Sequence, residues 1–150
     1  MKKILIPVDG SIASEKAAMK AVEIGKLINA ELTFVTVVNT PTEDKYSYFG
    51  MNVEHAFIAN CEEMLKNLIR EETKMLDILV RNLNCDDLMT TKRVVVGKPS
   101  VEILKIATDE KFDLIVMGRR GLSNMERIFI GSITQKVISQ APCPVMVVNG

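Results

Sequence analysis

Lys3-Ile4-Leu5-Ile6-Pro7-Val8-Asp9-Gly10-Ser11 opens the chain with a short, nearly all-apolar run that ends at Asp-Gly-Ser. A run apolar at almost every position, rather than at alternate ones, reads as a strand buried on both faces. Ser11 or Ser14 can cap the helix that follows, in which Ala17, Ala18, Ala21, Val22, Ile24, Gly25 and Ile28 recur at helical spacing. A doubly buried strand needs partners of its own kind, and the chain supplies them at residues 32–38, 87–96, 113–117 and 144–148. Each lies between helical or loop segments. Residues 40–52, with Pro41 and Gly50, read as a loop.

Over residues 54–82, Phe57, Cys61, Met64, Leu65, Leu68, Met75, Leu76 and Leu79 keep a three-to-four spacing, with Glu62, Glu63, Lys66, Arg70, Glu71 and Lys74 between them. This predicts a long amphipathic helix with a solvated charged face. At roughly 29 residues, about 43 Å, it either projects beyond the sheet or breaks in two. Gly97-Lys98-Pro99-Ser100 leads into a helix over 101–110, with Ser100 as its expected cap; 118–131 is a glycine-bounded connection, and 132–140 is the last helix.

The order βαβαβαβαβ predicts an α/β fold: one domain over residues 1–150, an open five-stranded parallel sheet with helices on both faces, Rossmann-like. A chain of 150 residues can bury about two-thirds of its unfolded surface, so it needs neither disulfide nor metal to form a core. In such sheets ligands sit at the carboxyl ends of the strands, where the strand order reverses; here that is beside the first strand. The informative residues should follow strand one and strand four.

Composition removes several function classes. Nineteen basic and nineteen acidic residues leave no net charge, which argues against a nucleic-acid or anionic-membrane footprint. The apolar runs are too short to span a bilayer, and the apolar stretch after Lys2-Lys3 is cut by Asp9, too early for a signal peptide. Cys61, Cys85 and Cys143 form no CxxC pair and no even framework, so free thiols in a reducing cytoplasm are expected, with Cys143 buried between Pro142 and Pro144. His55, the one histidine, has no second ligand at metal-binding spacing. Asp113 falls at the amino end of its strand, away from the ligand edge, and reads as structural.

After strand four stands Gly118-Arg119-Arg120-Gly121, then nine residues, then Gly131-Ser132. In a chain with 8 glycines such spacing arises by chance roughly twice in a thousand sequences, before asking that it follow a strand and open a helix. Glycines let backbone N–H groups approach an anion with no Cβ in the way. Gly131-Ser132-Ile133-Thr134 begins a helix whose free N–H groups and dipole favour negative charge. The N–H groups of Gly131, Ser132 and Ile133 should face a phosphate, Gly131 with a positive φ open to it. The hydroxyls of Ser132 and Thr134 can donate to phosphate or ligate a divalent metal. A plain tight turn ahead of a helix cap is the alternative. Asp9, at the same edge, can accept from ribose hydroxyls or cap the first helix.

The chain resembles the universal stress protein family, whose nucleotide-binding members carry this G-2x-G-9x-G-[S/T] spacing. Gly118, Gly121, Gly131 and Ser132 match it, and the opening strand, the Asp113-Leu114-Ile115-Val116-Met117-Gly118 stretch and the closing Pro142-Cys143-Pro144-Val145-Met146-Val147-Val148 extend the likeness along the whole chain. The resemblance implies an ATP site, with Pro7, Asp9 and Val37 at the adenine and ribose and Met117 near the base. It places the glycine loop, Ser132 and Thr134 on the phosphates, often with Mg²⁺ or Mn²⁺. It also implies a homodimer through antiparallel pairing of the last strand. Arg119-Arg120 departs from the family, where many members carry smaller or less charged residues; the two cations either strengthen phosphate binding or point to solvent.

Two kinds of function fit. One is an ATP-binding regulatory or stress-response module with an unknown signalling partner. The other is a slow ATP hydrolase or phosphotransferase; a nucleotide-free dimeric scaffold is a blander third. Phosphoryl transfer needs a positioned base and charge neutralisation at the leaving group. The chain has no GxxxxGK[S/T] loop, no Ser-His-Asp set and no S-G-G signature after its first strand, so binding is favoured over catalysis.

Overall fold

A computed structural model describes residues 2–39, 55–120 and 129–150. The predicted loop over 40–52 and Gly121 lie outside these residues, as does the side chain of His55. The elements run β1 (Lys3–Pro7), α1 (Ile12–Ile28), β2 (Glu31–Val38), α2 (His55–Asn82), β3 (Thr90–Val96), α3 (Pro99–Asp109), β4 (Leu114–Gly118), α4 (Ser132–Gln140) and β5 (Val145–Val148). All four strand pairings are parallel, in the order β3-β2-β1-β4-β5. The reversal therefore falls between β1 and β4, as the strand-helix alternation predicts.

Alternation along β1 and β2 divides the core into two layers. Ile4, Ile6, Leu32 and Phe34 turn to one face, where Ala17, Ala18, Ala21 and Val22 of α1 and Leu76 of α2 cover them. Leu5, Val35, Ile115 and Met117 turn to the other, against Ile103, Ile106 and Ala107 of α3 and Val137 of α4. Small residues on the inner side of α1 let it lie close to the sheet. α2 is one unbroken helix of 28 residues, about 42 Å long, so it does not break in two.

Cap chemistry decides where the helices begin. Ser11 caps α1, its Oγ accepting from the Ser14 N–H at 3.2 Å, while Ser14 Oγ donates to the Ser11 carbonyl. Ser100 does not cap α3. Pro99 already has the fixed φ of a first helical residue, so the helix starts two residues earlier, Lys98 takes the cap position, and Ser100 is buried inside the first turn. β3 begins at Thr90 rather than at 87, because a turn closed by the Leu88 N–H to Cys85 carbonyl bond occupies the preceding residues. Cys143 is half-buried rather than buried, and burial pushes its thiol upward, with the Asp113 carboxylate adding to the shift. Asp113 does act structurally. It accepts from the Lys3 N–H at 2.9 Å, which with Lys2 nearby holds its carboxyl below the usual range.

Candidate functional site

The carboxyl ends of β1, β2 and β4 and the starts of α3 and α4 enclose a cleft of about 270 Å³. Pro7 and Asp9 enter it from β1, Val37 from β2, and Met117 and Gly118 from β4. Arg120, Gly131, Ser132, Ile133 and Thr134 complete the far wall. Of the predicted residues that are described, Arg119 alone is not on the lining.

The rim is fixed by backbone bonds. Arg119 donates its N–H to the Val148 carbonyl, and its own carbonyl accepts from Gly131 N–H, both at 2.9 Å. The Arg120 carbonyl accepts from Ser11 Oγ at 3.4 Å. Gly131 is therefore not a free donor for a phosphate. Its φ is −58°, so it does not use a positive φ either; any L-residue can adopt this conformation. Thr134 also departs from its expected role. It is 3% exposed, and its hydroxyl proton goes to the Gly118 carbonyl at 2.9 Å, tying α4 to the end of β4 rather than reaching for an anion. What the helix start does offer is the N–H groups of Ser132, Ile133 and Thr134, which precede the first intrahelical bond, from Gln135 N–H to the Gly131 carbonyl. With the helix dipole they form an anion-favouring end.

Asp9 is exposed and accepts from the Ser11 N–H at 3.0 Å through Oδ1. That bond stiffens the turn, but the cap itself is Ser11, so Asp9 does not serve as the helix cap. Gly10 takes φ +81° to make the turn and keeps Asp9 at the lip of the cleft.

At the other end, hydrogen-bond alternation along β2 exposes a donor and an acceptor together. Glu31 N–H donates to the Lys2 carbonyl and the Val35 carbonyl accepts from Val8 N–H, so odd residues address β1; Leu32 N–H donates to the Met89 carbonyl and the Val38 carbonyl accepts from Gly97 N–H, so even residues address the β3 side. Val37 thus turns its N–H and C=O toward β1, past the last bond of that pairing, and into the cleft it lines.

Val8, Ser14, Val35, Pro99 and Ile103 also line the cleft and were not predicted. Pro99 and Ile103 come from the helix after β3, two strands away from β1. The strand order brings that helix over the same edge, so the missing signal was topological.

A sequence model of the universal stress protein family matches residues 1–149. The universal stress protein MJ0531 of Methanocaldococcus jannaschii is 35% identical over 149 residues, covering 99% of this chain and 82% of its own length. The solved structure of protein MJ0577 from the same organism superposes with a TM-score of 0.79 at 31% identity, covering 99% of this chain and 96% of that one. The chain belongs to the universal stress protein family. Two solved universal stress proteins of the same fold are complexes. One contains cAMP (TM-score 0.62, 23% identity, 98% and 96% of the chains covered). The other, from Archaeoglobus fulgidus, contains dAMP (TM-score 0.60, 19% identity, 99% and 98% covered). Among the described residues no helix is long and apolar enough to cross a membrane.

Proposed function

We propose that this universal stress protein is a cytoplasmic module that binds an adenine nucleotide, ATP in particular, and acts through the occupied state rather than through phosphoryl transfer. The observation that carries the reading is the placement of complementary groups at the two ends of one apolar cleft. The Val37 N–H and C=O fit the acceptor and donor of an adenine edge, with Met117, Val35 and Ile103 as the apolar slot for the ring. The N–H groups at the start of α4 fit the phosphates, and Asp9 lies between, where ribose hydroxyls would donate. The complexes of proteins of the same fold with cAMP and dAMP agree with an adenine nucleotide as the ligand class.

A divalent cation accompanying ATP would rest on phosphate oxygens and the Ser132 hydroxyl. Among the described residues no three His, Cys, Asp or Glu side chains converge to hold one, and Mg²⁺ commonly keeps several waters with substrate phosphates as ligands. Among the described lining residues Asp9 is the one acid and Arg120 the one cation, and neither histidine nor lysine is present to act as a base. Calorimetric titration should therefore find saturable ATP binding, and phosphate release should run well below the roughly 1–100 s⁻¹ of a dedicated kinase. No heat with ATP, ADP, AMP or cAMP would remove the reading. Turnover above about one per second, lost on changing Asp9 or Ser132, would make the protein an enzyme.

We also infer a homodimer through β5. The two sheet edges differ. β3 is guarded by Lys92, paired with Asp77, and by Arg93, paired with Glu110 through its two terminal guanidinium nitrogens. β5 is Val-Met-Val-Val with no charge on it, and Met146 is 37% exposed. An uncharged apolar edge invites strand pairing, and Pro144 blunts only its start. Light scattering at tens of micromolar should give twice the 16.7 kDa chain mass; a strictly monomeric mass would overturn the pairing.

A further inference from the structure

α1 and α4 both start at the cleft, but their first turns are held in different ways. α1 carries a side-chain cap, and Ser11 Oγ takes the Ser14 N–H for itself. α4 has glycine at the cap position and no side-chain cap, so the N–H groups of Ser132, Ile133 and Thr134 stay open and no cap fixes their direction. At 9 residues α4 is also too short to hold a helical first turn by propensity alone. Its placement therefore depends on what it buries.

The buried residues of α4 are Thr134 and Val137, three apart and so on one side of the helix. Val137 is fully buried in the core layer of Leu5, Ile115 and Met117. Apolar burial is non-directional, so it seats the helix without fixing the tilt of the first turn. The Thr134 bond is directional. Its hydroxyl reaches the carbonyl of Gly118 at 2.9 Å, and Gly118 is the buried last residue of β4, an interior strand. The next carbonyl along, that of Arg119, takes the Gly131 N–H. The first turn of α4 thus hangs from two consecutive carbonyls, one through main chain and one through a side chain.

We propose that Thr134 is a positioning residue whose buried hydroxyl aims the open N–H groups of α4, and so sets how strongly the cleft prefers a nucleotide to the bare nucleoside. The inference rests on the nucleotide reading and assigns its phosphate selectivity. Thr134 acts at one end of the cleft only. Asp9, Val37 and Met117 are carried by β1, β2 and β4 and do not depend on α4. Without the hydroxyl, the buried Gly118 carbonyl loses its donor from α4, a loss relieved only if the turn moves or water enters. Either change takes the N–H groups away from the phosphates and leaves the adenine and ribose contacts in place.

The test measures ATP affinity by calorimetry and adenosine affinity by heteronuclear NMR titration, for wild type, Thr134→Val, Thr134→Ala and Thr134→Ser. Valine and alanine remove the hydroxyl in two different volumes, so one variant that fails to fold leaves the other; serine restores it. The valine and alanine variants should bind ATP about ten- to a hundredfold more weakly, the worth of one hydrogen bond to a charged group. Their adenosine affinity should be unchanged, and Thr134→Ser should match wild type for both ligands. Equal losses for ATP and adenosine would make Thr134 a packing residue and overturn the proposal. So would unchanged ATP affinity in a folded valine or alanine variant, or a serine variant that behaves like valine. Wild type that binds ATP but not adenosine would overturn the division of the cleft into two independent ends, and the proposal with it. Wild type that binds neither removes the nucleotide reading itself.

Discussion

Gly131→Val is expected to abolish measurable ATP binding while leaving the fold and the dimer mass near wild type. Gly131 is on the cleft wall at the junction of the rim and α4, and its backbone, φ −58° and ψ 148°, is one that valine adopts without strain. Its N–H to the Arg119 carbonyl and its carbonyl to Gln135 N–H are main-chain bonds that survive the substitution. What changes is space. A branched side chain beside the N–H groups of Ser132 and Ile133 holds a phosphate away from them. A hydrogen bond to a charged group is worth about 1.5–3 kcal/mol, so losing two weakens binding by roughly two to four decades. A micromolar site would move to between about 0.1 and 10 mM. Circular dichroism and light scattering serve as controls, and titration calorimetry is the readout. Full ATP affinity in a folded Gly131→Val protein would reduce the glycine spacing to a turn signal and take the nucleotide reading with it.

The expected mechanism at Gly131 changed between sequence and structure, and the reason shows what a sequence can carry. Strand identity was legible because doubly buried strands are apolar without alternation, and residues 4–8, 32–38 and 113–117 are such runs. Strand-helix alternation then placed the reversal between β1 and β4. That located ten of the predicted residues on one cleft, because loops leaving parallel strands at the same end must meet. The exchange of partners inside the cleft was not legible. Nothing in the residue types shows that Thr134 gives its proton to Gly118, or that Gly131 gives its N–H to Arg119; those bonds depend on how far β4 runs before α4 turns back. Ser100 lost its cap for a local reason, since Pro99 can start a helix by itself. Pro99 and Ile103 were missed for a global one, because only the full strand order puts α3 over the cleft.

Gly118 and Gly131 belong to one spacing, yet their substitutions should fail in different ways. Gly118 ends β4 with its carbonyl held by Thr134, and it is not among the glycines with positive φ. Its requirement is close approach. A Cβ there would stand 2.8 Å from the Ala13 carbonyl carbon, 2.9 Å from Ala13 Cβ and 2.9 Å from the Ser14 nitrogen. Two of these are backbone atoms in the first turn of α1, so no rotamer change relieves the overlap. The helix start must move, and with it the Ser11 cap and the Ser11 bond to the Arg120 carbonyl. Overpacking a core contact costs typically about 1–3 kcal/mol, and a branched side chain against backbone belongs at the upper end. For a domain of this size about 3 kcal/mol lowers Tm by roughly 6–12 °C. Gly118→Val should therefore lose stability first, with ATP affinity reduced only as α1 shifts Asp9 and the rim, whereas Gly131→Val should lose affinity at constant Tm. Thermal denaturation of the two variants side by side is the measurement. A Gly118→Val protein that melts with wild type would mean that α1 can slide away from β4 freely, and Gly118 would then return to the reading it had in the sequence, a glycine kept for the ligand alone.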